Sequence, residues 1–391
     1  MARSAGKDGA RPAANSDQVG KPTAASNGAA VDETQASPAP AQGLAESLAA
    51  PDFEELDLAG RIVGGDPSGP WPIPERDVGG RHRGWAKRLE AWATLGVLAF
   101  LGRMPEFMLA PLLAGLARFA CRLDRRRSTA ARVFLKQALG DDQSAAQLDR
   151  RVLTAWRHLL RLGAEALSFE RRCLGRPLGE HYRVRASADA RAVLEAESGC
   201  LLVGAHLGDW EAGLPALAGL GFAPLYAVGK PPQNHYLAQH LQALRQRRGM
   251  RLLARRGAMA DVPKVVRSGG AVVMLLDQRA VRRPVMAPFF GRMARCDRSA
   301  GVLLRRLGAP VVLFSCLRGD SRGGREGRFE LDLGPVIHPG DVAGMGSEAV
   351  AALLNGLQER MILARPDQYF WVHDRYRETS SDSDEEPEPG A

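Results

Sequence analysis

From residue 199 onward, short apolar runs alternate with longer stretches in which apolar residues recur every three or four positions. The runs at 200–205, 224–228, 271–276 and 310–317 have the length of buried strands and are bounded by glycine, proline or charged residues. The stretches at 210–220, 234–248, 258–268, 298–308 and 346–363 carry the helical period, and 328–333 adds a short strand near an edge. Strands alternating with helices predict an α/β fold with a mixed, largely parallel sheet flanked by helices. Before it, Val133, Leu135 and Leu139, then Leu148, Val152, Leu153, Trp156, Leu159 and Leu160, predict helices across 128–180. Residues 91–102 and 107–117 are two uncharged apolar stretches separated by Arg103 and Glu106. Neither reaches the roughly 20 residues needed to span a bilayer. With Trp85, Trp92, Lys87 and Arg88 beside them, they predict a membrane-associated helical segment at the N-terminal side of the domain. No internal repeat is visible.

The most informative segment is the end of the first apolar strand, where Gly204 and Ala205 lead into His206, with Asp209, Trp210 and Glu211 following. Asp209 is placed to cap a helix running to Leu220. That sets His206 just past the C-terminal edge of a strand, where open α/β sheets bind their ligands. Glu211, in the first helical turn, is expected to accept from one imidazole nitrogen and leave the other free to take a proton. The alternative is a structural histidine beside a carboxylate that favours a helix N-terminus.

Charge sharpens the picture. The chain has 53 basic and 44 acidic residues. Residues 1–80, rich in Ala, Gly, Pro and Ser, read as a disordered extension, and residues 378–391 as an acidic disordered tail. The stretch between them holds 47 basic and 26 acidic residues, a net charge of +21. A core so basic expects an anionic partner: nucleic acid, an anionic membrane surface, a phosphorylated lipid or an acidic protein. The run from Arg122 to Arg127, directly after the apolar stretches, fits contact with anionic headgroups. The expected division is therefore 1–80 extension, 81–127 apolar helices and basic flank, 128–377 α/β domain, and 378–391 tail. Five scattered cysteines, with no Cys-x2-Cys spacing, suggest neither a zinc site nor a disulfide framework. The polar start predicts no signal peptide at residue 1.

Further candidates lie at other strand ends. Lys230 follows the run 224–228 in the order Lys-Pro-Pro-Gln-Asn. Asp277, Gln278 and Arg279 end the run 271–276, with Arg282 and Arg283 just beyond. A loop Pro288-Phe-Phe-Gly291 follows, then Ser299-Ala-Gly301, and near the end a segment from Arg365 through Tyr369, Trp371, His373 and Arg375. His235, His240 and His338 stand alone and read as structural or solvated, and His373 as structural unless close to His206.

Taken together and in order, from about residue 90 to 377, these motifs resemble the lipid A biosynthesis acyltransferase family of the lauroyl and myristoyl type. That family typically reads His-Phe-Gly-Asn-Trp-Glu at the first site. Leu207 and Asp209 stand here for the Phe and Asn, Lys230 for the family's Arg, and Arg279 for the second Asp of Asp-Gln-Asp. Glycerophosphate acyltransferases share a related His-x4-Asp, but their Glu-Gly-Thr-Arg signature is absent. The resemblance implies acyl transfer from an acyl-carrier-protein or acyl-CoA thioester to a hydroxyl of a membrane glycolipid. His206 would be the general base with Glu211, and Lys230, Asp277, Arg279, Arg282 and Arg283 would act at the substrate. It implies no metal or other cofactor, and a location on the cytoplasmic face of the inner membrane. A phospholipid acyltransferase of the lysophosphatidate type is the near alternative. The distant ones are a non-catalytic membrane-surface protein and a nucleic-acid-binding protein, the latter not expected because no aromatic–basic interleaving accompanies the arginines.

Overall fold

The computed structural model describes residues 39–48, 51–58, 62, 80–255, 257–281, 283–319 and 329–377. Ten strands run in chain order: β1 (Phe53–Glu55), β2 (Tyr182–Ser187), β3 (Cys200–Gly204), β4 (Leu225–Gly229), β5 (Met250–Ala254), β6 (Ala271–Leu275), β7 (Val285–Phe289), β8 (Arg292–Cys296), β9 (Val311–Arg318) and β10 (Phe329–Ile337). The helices are α1 (Ala39–Ser47), α2 (Trp85–Leu101), α3 (Glu106–Leu123), α4 (Arg125–Leu139), α5 (Ala145–Ala166), α6 (Phe169–Cys173), α7 (Leu178–His181), α8 (Ala188–Glu195), α9 (Trp210–Leu220), α10 (His235–Arg247), α11 (Ala258–Arg267), α12 (Ser299–Leu307) and α13 (Ser347–Ala364).

Eight strands form one sheet in the order β1-β2-β10-β9-β3-β6-β4-β5, and β7 and β8 form a separate antiparallel hairpin. The pairs β2–β10, β9–β3, β3–β6, β6–β4 and β4–β5 are parallel, while β1–β2 and β9–β10 are antiparallel. The sheet is therefore mixed and largely parallel, as the alternating pattern predicts. All five residues of β3 are buried, because helices cover both faces. Cys200 and Leu202 enter the core on the α9 side, while Leu201 and Val203 enter the one under α11, α12 and α13. Central strands covered on both faces read as unbroken apolar runs rather than alternating ones.

Part of the extension expected to lack structure is folded. Ala45 of α1 is buried against α13, and its carbonyl accepts from Arg360 Nη1 at 2.7 Å. β1 adds an antiparallel edge strand to β2, and Ile62 is fully buried in the core beside α7 and β2. Composition hid this because a few apolar residues (Leu44, Leu56, Leu58, Ile62) suffice when a preformed sheet edge and two helix faces receive them. Most of 1–80 and the whole tail 378–391 lie outside the described residues.

The two apolar stretches become α2 and α3, both packed on α5. They leave Trp85, Leu89, Trp92 and Phe100, and Phe107, Phe119 and Leu123, exposed. Among the described residues no helix is long and apolar enough to cross a membrane.

Candidate active site

The parallel strands β9, β3, β6 and β4 end along one edge of the sheet, and their next residues carry the polar groups. His206 follows β3, Asp277 follows β6, Lys230 follows β4, and Arg318 ends β9. Since β3 and β6 are adjacent and in register from Cys200↔Ala271 to Gly204↔Leu275, His206 and Asp277 emerge side by side.

The contact between them is direct. His206 Nδ1 lies 2.7 Å from Asp277 Oδ1, and the His206 backbone N–H donates to Oδ2 at 3.0 Å. Asp277 is 1% exposed. Burial acts to raise its pKa, but the charge and hydrogen bonds of His206 and a hydrogen bond from Tyr369 outweigh it, so the carboxyl sits below its usual value. A carboxylate at Nδ1 requires the proton there, which leaves the Nε2 lone pair free. Nε2 accepts from the Gln278 amide at 3.2 Å. Trp210 packs edge-on against the imidazole at 4.9 Å, and Phe370 lies at 6.0 Å.

Glu211 does not make the expected bond to the imidazole. Its carboxylate takes Arg245 of α10 in a two-point pair, at 2.5 and 3.3 Å. Burial works to raise Glu211, and Arg245 more than compensates, holding the carboxyl below its usual pKa. The reason is positional: Glu211 belongs to the first turn of α9, where α10 presents an arginine, whereas β6 delivers Asp277 straight to the histidine.

The loop between His206 and α9 is tied on both sides. Gly208 N–H donates to the Gln368 carbonyl at 2.8 Å, Asp209 N–H to the Cys316 carbonyl at 2.7 Å, and Phe370 N–H to the His206 carbonyl at 3.1 Å. Gly208 has φ +65°, and a Cβ there would fall 2.0 Å from the Cys316 carbonyl oxygen, so only glycine fits. Asp209 caps α9 by accepting from Ala212 N–H at 3.0 Å, as its position predicts. It also begins a chain of ion pairs running from the buried Asp209 through Arg318, Glu165 and Arg161 out to the exposed Glu106. Burial, together with Glu165 and Glu211, raises Asp209 to about 6 despite Arg318. Tyr369 belongs to a segment the sequence singles out, but none of Arg245, Arg318 or Glu165 stands out in the sequence; each is one charged residue among many, and only the fold brings it to the loop.

The remaining candidates divide. Lys230 is exposed at the end of β4, two strands from His206. Its loop is pinned by the segment before α2 and by the first turn of that helix: His82 N–H donates to the Gln233 carbonyl at 2.9 Å, and Asn234 Nδ2 to the Lys87 carbonyl at 2.7 Å. Arg279 lies close to the centre, its backbone N–H donating to His373 Nε2 at 3.2 Å. His373 is stacked on Phe370 at 6.2 Å, and burial lowers its pKa to about 4, consistent with a neutral ring that accepts. Arg283 is exposed with φ +40°, and Arg282 lies outside the described residues. Phe289 and Phe290 are buried with Phe134, Tyr369 and Trp371, which makes them core aromatics. Among the described residues no group of three or more His, Cys, Asp or Glu is placed to hold a metal ion.

Residues 81–378 match the family model described as bacterial lipid A biosynthesis acyltransferase. A lipid A biosynthesis palmitoleoyltransferase of Escherichia coli (strain K12) is 26% identical over 183 residues, which are 46% of this chain and 56% of that protein. A lipid A biosynthesis acyltransferase of Shigella flexneri aligns with the same identity and coverage. The chain thus matches just over half the length of these curated relatives.

Proposed function

The chain belongs to the bacterial lipid A biosynthesis acyltransferase family, and on that footing we propose that it transfers a fatty acyl chain from a thioester donor to a hydroxyl of a lipid A precursor. The observation that carries this reading is His206 with its Nδ1 held by Asp277 and its Nε2 unprotonated, accepting from the Gln278 amide. In the reaction, Nε2 takes the proton of the acceptor hydroxyl as that oxygen attacks the thioester carbonyl carbon. The tetrahedral oxyanion then collapses, the C–S bond breaks, and the imidazolium returns the proton to the leaving thiolate. The products are an ester and a free thiol. Asp277 fixes the tautomer and stabilises the imidazolium between the two transfers. Glu211 takes a supporting role: with Arg245 it holds the first turn of α9 beside the histidine. Trp210 and Phe370 shield one side of the ring from water.

The donor is an acyl-carrier protein or acyl-CoA, both anionic, which suits the basic core. The exposed aromatics of α2 and α3 and the arginines that follow them support a working position against an anionic membrane surface, which this reading takes as the cytoplasmic face of the inner membrane.

Lipid mass spectrometry of cells with and without the gene tests the proposal. Loss of one acyl chain from lipid A is expected, restored by the wild-type gene and not by His206→Ala. An unchanged lipid profile, or restoration by His206→Ala, defeats the reading.

A further inference from the structure

Three arginines near the catalytic loop are matched with carboxylates: Arg245 with Glu211, Arg318 with Glu165 and Asp209, and Arg161 with Glu165 and Glu106. Three arginines on the other flank are not. Arg279 follows β6, Arg295 lies in β8, and Arg377 ends the described chain. Among the described residues none of the three forms an ion pair. Among the described residues the side chains of two of them reach backbone carbonyls: Arg279 Nη1 that of Arg377 at 3.3 Å, and Arg295 Nε and Nη2 those of Ala280 and Val281, each at 3.4 Å. Among the described residues Asp374 is the carboxylate that acts on Arg279, and it lies 3.8 Å from a fourth arginine, Arg126.

Arg279 and Arg295 are nonetheless held in place. Ala280 N–H donates to the Arg295 carbonyl at 3.0 Å, and buried Arg375 donates to the same carbonyl at 2.7 Å, which joins the loop, the hairpin and the C-terminal segment. Arg279 is partly shielded from water, and that shielding, followed by the charges of Arg295 and Arg377, lowers its pKa. Like charges brought together with no ion pair among the described residues work against folding, and an anion bound beside them would relieve that repulsion. The site adjoins the catalytic centre, because Arg279 N–H bonds His373, which stacks on the Phe370 that packs on His206.

We infer that Arg279, Arg295 and Arg377 form a receptor for a phosphate group carried by one of the two substrates. Neighbouring guanidinium groups suit a phosphate, which accepts many charge-assisted hydrogen bonds at once. This deepens the proposed acyl transfer and rests on it for the identity of the substrate, while the site itself can be tested without turnover.

The first measurement is thermal melting of the full-length protein in detergent, with inorganic pyrophosphate or sodium chloride at matched ionic strength. Pyrophosphate is expected to raise the melting temperature of the wild type above the chloride control. The double variant Arg295→Gln/Arg377→Gln should melt near wild type without ligand, since it breaks no ion pair, and should lose the pyrophosphate shift. The corresponding double lysine variant should keep part of it, and Arg306→Gln, on the surface of α12, all of it. The second measurement is kinetic. The glutamine double variant should raise the KM of the phosphate-bearing substrate roughly tenfold to a hundredfold, as loss of charged hydrogen bonds does. Comparing a phosphorylated acceptor with its phosphatase-treated form, and the intact donor with an acyl-pantetheine lacking phosphate, identifies which substrate carries the group. A wild type without a pyrophosphate-specific shift, or a double variant that keeps both the shift and the KM values, overturns the receptor. A retained shift in a protein that transfers no acyl chain overturns the acyl-transfer reading instead.

Discussion

His206 has two carboxylates near it, and they are set to different tasks by what each touches. Asp277 accepts from the ring and from the His206 backbone, while Glu211 is spent on Arg245. Asp277→Asn should therefore lower kcat by about 10²–10⁴-fold with a small change in KM, because an amide at Nδ1 no longer fixes the tautomer or stabilises the imidazolium. Glu211→Gln should act differently: it strands the mostly buried Arg245 without its counter-charge and costs stability, roughly 3 kcal/mol. Steady-state kinetics beside chemical denaturation separates the two. A Glu211→Gln enzyme that is normally stable but inactive, with Asp277→Asn nearly normal in rate, would reverse the assignment. His206 and the Asp209 cap were readable from local order alone, since a glycine-bounded apolar run followed by a polar cap is a strand-to-helix turn. The Asp277 contact was not, because it depends on β6 lying beside β3, and nothing in the chain between residues 204 and 271 announces that order.

At the scale of elements, the segments that sequence reasoning found are those with strong local signals: the apolar runs of β3, β6 and β9, and the amphipathic period of α5 and α11. β2 and β5 were missed because charged residues interrupt them; Arg183 and Arg185 of β2 reach out to Glu55 and Asp332 at the sheet surface. The hairpin β7–β8 was readable only as a motif, and its turn uses Phe290 at φ +48° and Gly291 at φ +73°. The docking of α1, β1 and Ile62 was invisible because their partners are distant in sequence. Ile62→Ala consequently becomes an informative substitution. It should cost about 2–4 kcal/mol in denaturant unfolding, as truncation of a core isoleucine does, although it lies outside the matched family region. A loss below about 0.5 kcal/mol would mean that this segment is only laid on the domain.

For the whole molecule, the charge and the apolar surface both support the proposed membrane location. The stretch 81–377 carries a net +21, and Arg122, Arg125, Arg126 and Arg127 follow directly on the exposed residues of α3. Trp85, Leu89 and Trp92 of α2 recur at the helical period along one stripe, with Met108, Leu112, Leu116, Phe119 and Leu123 forming another on α3. A soluble domain rarely leaves aromatics so uncovered without a use for them. Each large side chain inserted into the headgroup boundary contributes on the order of 1.5–3 kcal/mol, and the arginines add an attraction that salt screens. Binding to anionic vesicles should accordingly weaken but persist at high salt. Trp92→Glu combined with Phe119→Glu should abolish it by adding two charges where two insertions were lost, and should leave the melting temperature near wild type because both residues are exposed. Co-sedimentation decides the matter. Vesicle binding that high salt eliminates in the wild type, or that survives both substitutions, would show that α2 and α3 do not enter the bilayer and that the basic surface alone holds the protein there.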